Sequence, residues 1–112
     1  MAGQADLFWS LPPIVSYNVG AELPVSISVL NLTEERREYM LLSRTFDRSG
    51  RQISEKSLPV MGRAWFEVEA GDREVFDGAL SPEETDVGLV LSLIERETGE
   101  EVGRASTWLQ RY

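Results

Sequence analysis

Periodicity predicts an all-β fold in which two layers of antiparallel strands pack face to face. From Leu23 to Val29, the residues Leu23, Val25, Ile27 and Val29 occupy every second position, with Pro24, Ser26 and Ser28 between them. Successive strand side chains point to opposite faces, so this run turns one apolar face to a core and one small polar face to water. Val87, Leu89, Leu91 and Leu93 alternate in the same way and lead through Glu97-Thr-Gly99-Glu into Val102–Leu109, which reads as a long hairpin. Turn sequences recur between such runs, notably Asp47-Arg-Ser-Gly50 and Ala70-Gly71-Asp72.

Pro12–Pro13 blocks a helix and suits an extended lead-in, after which Ile14 and Val15 open an edge strand ending near Gly20. The strong strand at 23–31 follows, and Asn31 to Glu35 is a polar connection. Glu38–Phe46 reads as a strand because Asp47–Gly50 turns it back into a hairpin partner around Ile53. After a loop at Ser57–Gly62, Ala64, Phe66 and Val68 share one strand face while Trp65, Glu67 and Glu69 share the other. Glu74–Leu80 is the next strand, with Gly78 marking a bulge. These segments amount to seven or eight short strands. The competing fold is α+β, with helices near 34–48 and 82–97, since Ser81-Pro-Glu-Glu84 also makes a good helix start.

A chain of 112 residues fits one domain, residues 1–112, with 1–12 as an N-terminal segment that is either flexible or paired along an edge. The formal net charge is −8 and Lys56 is the only lysine, which argues against nucleic acid as a partner. Arg36–Arg37 is surrounded by Glu34, Glu35 and Glu38 and reads as a solvated turn with local ion pairs. The longest uncharged stretch, Leu7 to Ala21, contains Pro12, Pro13, Asn18 and Gly20 and falls short of the roughly 20 apolar residues a spanning helix needs, so no membrane insertion is expected. There is no cysteine and no histidine, so disulfides, thiol nucleophiles and the commonest general base are excluded. We expect no enzyme, no catalytic residue, no cofactor and no metal site. Glu67 and Glu69 read as water-exposed charges, and Glu83, Glu84 and Asp86 as a solvated acidic loop without calcium-loop spacing.

The order Gly20-x-x-Leu-Pro-Val-Ser-Ile-Ser-Val-Leu-Asn31, then Asp47-Arg-Ser-Gly50, Ala70-Gly71 and Leu91 through Thr98-Gly99 to Val102, resembles prokaryotic immunoglobulin-like or fibronectin-III-like β-sandwich modules over Pro13–Leu109. The cysteine pair and strand-C tryptophan of antibody domains are missing. The resemblance implies an immunoglobulin-like antiparallel sandwich serving as an adhesion, spacer or partner-binding module, with an extracellular or cell-envelope location favoured over the cytoplasm.

The expected function is therefore a non-catalytic interaction or spacer module for a protein or carbohydrate partner. The alternative is a small intracellular regulator or inhibitor that inserts an exposed loop, Leu58–Gly62 or Leu80–Asp86, into a target. Trp65 and Trp108 share strand faces with polar residues and are candidate flat apolar anchors. Phe8 and Trp9 pose a choice between an edge-strand tuck and docking on a neighbouring chain. Asn31-Leu-Thr33 matches an N-glycosylation acceptor in an expected loop. An exposed edge strand is a candidate for homo-oligomer formation.

Overall fold

The computed structural model describes residues 5–111 and is all-β, with no helix among them. Its nine strands are β1 (Ala5–Trp9), β2 (Ile14–Tyr17), β3 (Leu23–Asn31), β4 (Arg37–Phe46), β5 (Gln52–Leu58), β6 (Phe66–Val68), β7 (Arg73–Leu80), β8 (Val87–Glu95) and β9 (Glu101–Arg111). They form a small sheet ordered β1-β3-β7 and a large sheet ordered β2-β9-β8-β4-β5, with β6 also paired to β4. The sandwich expected from the alternating pattern is present, and the α+β alternative is not.

The core lies between the layers. Val25, Ile27 and Val29 of β3 face Leu41 of β4, Leu89, Leu91 and Leu93 of β8 and Leu109 of β9, and all are buried. Each of these residues sits at every second position of its strand, so burial follows directly from the pleat. Turns are built from the expected residues. In the β4–β5 turn Gly50 takes φ +87, and the Asp47 carboxylate accepts from Ser49 N, Ser49 Oγ and Arg51 N. Those bonds, that of the Ser49 hydroxyl first, hold the Asp47 carboxyl below its usual range.

Several expectations are corrected. Among the described residues the strands number nine, because Ala5–Trp9 adds one by pairing antiparallel with β3, from Ala5↔Asn31 to Trp9↔Ile27. The pairing is not wholly antiparallel: β2 runs parallel to β9, from Ile14↔Trp108 to Tyr17↔Arg111. Gly78 is not a bulge, since the β3–β7 register runs unbroken from Leu23↔Leu80 to Leu30↔Arg73. The register shifts instead lie at Thr45/Phe46 in β4 and Leu93/Ile94 in β8.

The crossing from β1 to β2 closes one rim of the sandwich. The chain leaves the small sheet at Trp9, passes Pro12–Pro13 and enters the large sheet at Ile14, so one segment stitches both layers. Thr107 Oγ1 donates to the Pro12 carbonyl at 2.5 Å, and Trp108 N donates to the Pro13 carbonyl at 2.9 Å. Here β1 lies hard against β9: a Cβ added to Gly103 would come within 3.0 Å of Leu7 Cβ. The buried Tyr17 ties the end of β2 to two loops, its hydroxyl 2.8 Å from the carbonyls of both Ala21 and Pro82.

The facing of β8 gives a stability test. Leu91→Ala should cost about 2–5 kcal/mol in chemical denaturation, the range for truncating a buried leucine. Ser92 also has no solvent exposure, although it lies on the outer face, between Leu42 and Arg104 in register. Ser92→Ala removes little volume, so it should shift stability by less than about 1 kcal/mol. Equal losses at the two positions would contradict this facing.

Candidate functional site

The opposite rim, between β7 of the small sheet and β5 of the large one, is built differently. Among the described residues no strand pairs with the outer side of β7. The chain between β5 and β6 instead folds over the gap as a tight hairpin. Val60 N donates to Arg63 O at 2.8 Å, and Arg63 N donates back to Val60 O at 3.0 Å. The two residues inside that turn have positive φ, Met61 at +52 and Gly62 at +75. Glycine adopts this conformation freely, whereas methionine is strained in it. The Met61 side chain nonetheless stands 91% exposed at the tip.

Three depressions run together along this rim. The central one, about 490 Å³, has Val25, Ile27, Leu41 and Leu58 in its walls and Met61, Val75 and Gly78 at its mouth, so it reaches the core. It shares Leu58, Pro59, Ala79 and Leu80 with a depression toward Lys56, Pro82 and Glu83. In the other direction it shares Val60, Met61 and Phe76 with one containing Trp65, Glu38, Glu67 and Glu74. Phe76 packs edge-on to Phe66, with centroids 5.1 Å apart, and Phe66 continues to Tyr39 at 6.1 Å. This aromatic row forms a firm floor at the Trp65 end.

The predicted site residues do not converge. Trp65 is partly exposed in the groove, with the Arg96 guanidinium 5.3 Å from its ring. Trp108 is partly exposed on the outer face of the large sheet, under Arg48 at 5.9 Å and beside Gly88. Trp9 is tucked against the core, and Phe8, on the other face of β1, is 54% exposed. Of the four, Trp65 alone lines the groove.

The glycosylation expectation at Asn31 is corrected, because this residue ends β3 rather than lying in a loop and has no exposed surface. Its Nδ2 donates to Glu35 O at 2.8 Å and Val68 O at 2.9 Å, and its Oδ1 accepts from Thr33 N and Thr33 Oγ1. A glycan on that nitrogen would have to displace both carbonyls. The asparagine instead clamps the β3–β4 connection to β6.

Sequence reasoning names the loop Leu58–Gly62 without singling out Met61 in it, and misses Phe76 and the open edge of β7. The available signal was Met61-Gly62 itself: a two-residue turn of this kind usually carries Asn-Gly or Gly-Gly, so a methionine there is out of place.

A second polar cluster lies at the far end of β4. Arg37 is ion-paired to Glu97, lies 3.4 Å from Glu35 and 3.6 Å from the buried Glu95, and Tyr39 stands opposite Glu95 in register. Neither Tyr39 Oη nor Glu95 Oε2 has a hydrogen-bond partner among the described residues. Among those residues no group of three or more acidic side chains is arranged to hold a metal ion.

Neither a protein-family model nor a curated protein matches this chain. Among solved structures it is similar to a calcium-binding mutant of Bacteroides uniformis beta-glucuronidase 2, with a TM-score of 0.57 and 16% identity. The match covers 94% of this chain and 14% of the glucuronidase chain. At that identity the likeness shows the fold alone: nearly all of this chain matches one part of a much larger enzyme.

Two measurements check this geometry. Met61→Gly should raise stability by up to about 1 kcal/mol in denaturant, because glycine removes the strain of the left-handed backbone; a loss would mean that Met61 packs on the protein. Burial, reinforced by the charge of Glu95 and opposed by that of Arg37, pushes the Tyr39 hydroxyl from 10.0 up to about 12. The unfolded phenol ionises first, so the stability linked to Tyr39 is fully present below pH 10 and is lost as pH rises through 12, amounting to roughly 3 kcal/mol. Tyr39→Phe should flatten that part of a pH 9–12 denaturation series at little cost at pH 7, since no hydrogen bond is lost.

Proposed function

We propose that this chain is a non-catalytic interaction module that binds its partner along the β5–β7 rim, as an accessory domain beside other domains. One observation carries the reading: an apolar groove reaches the core between the two sheets, and a strained turn holds an exposed methionine at its mouth. Strain of this kind persists where the surroundings impose it and concentrates at binding sites. Methionine is an adaptable contact residue, and an apolar patch left open to water marks a place for another molecule. The glycosidase likeness supports an accessory role near carbohydrate-active enzymes, because a domain of this fold makes up a small part of such a chain. The reading carries with it an extracellular or envelope location.

A second reading is favoured by the same hairpin. Residues 58–62, the loop expected to act in a small intracellular regulator, form one lip of the groove, and Met61 at its tip would enter a pocket on a target enzyme.

The rim is tested by screening the purified chain on a glycan array and as bait in an extract of its source cells, with Met61→Asp and Trp108→Ala alongside. A ligand kept by the wild type and Trp108→Ala but lost by Met61→Asp is the expected result. Loss with Trp108→Ala and retention with Met61→Asp would overturn the rim as the binding face. Glycoside hydrolysis by the purified chain would overturn the non-catalytic assignment.

A further inference from the structure

Two glycines face the interior of this sandwich, and they stand in opposite surroundings. Gly103, opposite Leu93 on β9, is filled by Leu7 of β1 at the closed rim. Gly78, opposite Val25 on β7, has no atom of the described residues within 4 Å of where its Cβ would lie. The closed rim thus has a strand and an inserted leucine where the open rim has an unpaired edge and an empty position over the 490 Å³ depression.

The backbone of β7 is turned to receive such a strand. Ser26 of β3 uses both its N–H and its C=O toward β1: its nitrogen donates to Ser10 Oγ, and its carbonyl accepts from Ser10 N. Backbone groups alternate in direction along a strand, so Val25, Ile27 and Val29 bond to β7 and Ser26 does not. Asp77, opposite Ser26, therefore points its N–H and C=O away from β3, as do Val75 and Ala79 in the same alternation. These groups lie along the open edge, the arrangement that invites an added strand.

We propose that β7 accepts a β-strand from a partner protein: an extended basic segment that bonds to Val75, Asp77 and Ala79 and lowers an apolar side chain into the space opposite Gly78. The proposal rests on the rim being the binding face and names what binds there. Because Gly78 bonds to β3, the incoming residue opposite it occupies the close, non-hydrogen-bonded position, where a missing Cβ leaves most room. Charge selects the occupant. Along the groove Glu38, Glu67 and Glu83 are ion-paired to Arg96, Arg36 and Lys56, so the acidic groups beside the edge that have no ion pair among the described residues are Glu74 and Asp77. Chains that each carry −8 repel one another, so a second copy is disfavoured and a basic strand favoured.

The test uses a fluorescein-labelled decapeptide with valine and leucine at alternate positions and threonine, lysine and arginine between them. Two derivatives are N-methylated on alternate residues in the two possible frames, and binding is read by anisotropy and by amide shifts of the full chain. The expected result is saturable binding that shifts Val75, Asp77 and Ala79, is abolished by one N-methyl frame and kept by the other, and weakens at least tenfold when the lysine and arginine are replaced by glutamate. Gly78→Val, whose Cβ meets no neighbour within 4 Å among the described residues, should weaken binding at least tenfold with an unchanged or raised melting temperature. Absence of binding, equal binding of both frames, or a Gly78→Val affinity within twofold of wild type would each overturn strand addition. Where one of these outcomes is obtained while Met61→Asp still abolishes binding of a ligand found on the glycan array or in the extract, strand addition falls and the rim stands. Self-association in sedimentation that Gly78→Val abolishes would make the occupant a second copy and overturn the assignment to a basic partner.

Discussion

The two sheets of this sandwich are unequal, and the consequences of that mismatch organise the molecule. Three strands are laid on a sheet whose main path holds five, with β6 paired beside it. Burying the apolar faces of β3, β4 and β8 against one another drives the assembly, since that is where contiguous nonpolar surface leaves water. At one rim a single segment belongs to both layers and draws β1 onto β9 until only a glycine fits between them. At the other rim no strand among the described residues does this, and a four-residue hairpin spans the gap. A groove that penetrates to Val25, Ile27 and Leu41 follows from how the layers end.

Open sheet edges are usually guarded by charge, proline or cover, because an unpaired row of backbone groups is a template for another chain. On β7 the guards are Arg73, Glu74 and Asp77, and the last two are acidic. Such charges turn away an acidic copy of the same chain while leaving the edge available to a basic one. Acidity that argued against nucleic acid at the level of composition becomes, at this rim, a term in choosing a protein partner.

The period-2 pattern made β3 legible residue by residue, because one of its faces is buried without interruption and each inward residue is aliphatic. The β8–β9 hairpin was legible for the same reason, with Thr98-Gly99 supplying the reversal. Ala5–Trp9 was harder: Leu7, Phe8 and Trp9 are consecutive apolar residues with no alternation, and whether such a run tucks or docks depends on a partner strand some 20 residues away. Asn31 shows the same limit in polar form, since an asparagine before a threonine reads alike whether its amide meets water or two buried carbonyls. The groove itself was out of reach, because which strand is left at an edge is decided by long-range pairing. Gly78 reads as a bulge in the sequence, whereas its meaning lies in the neighbour it lacks.

Amide hydrogen exchange of the free protein tests the open edge most directly. The amides of Val75, Asp77 and Ala79 should exchange fast, while Glu74, Phe76 and Gly78, bonded to β3, are protected together with the core strands. An alternating fast–slow pattern along β7 is the signature of a paired inner side and a bare outer one. Uniform protection from Glu74 to Ala79 would mean that something already covers this edge, and the account of the rim as a binding face would be contradicted.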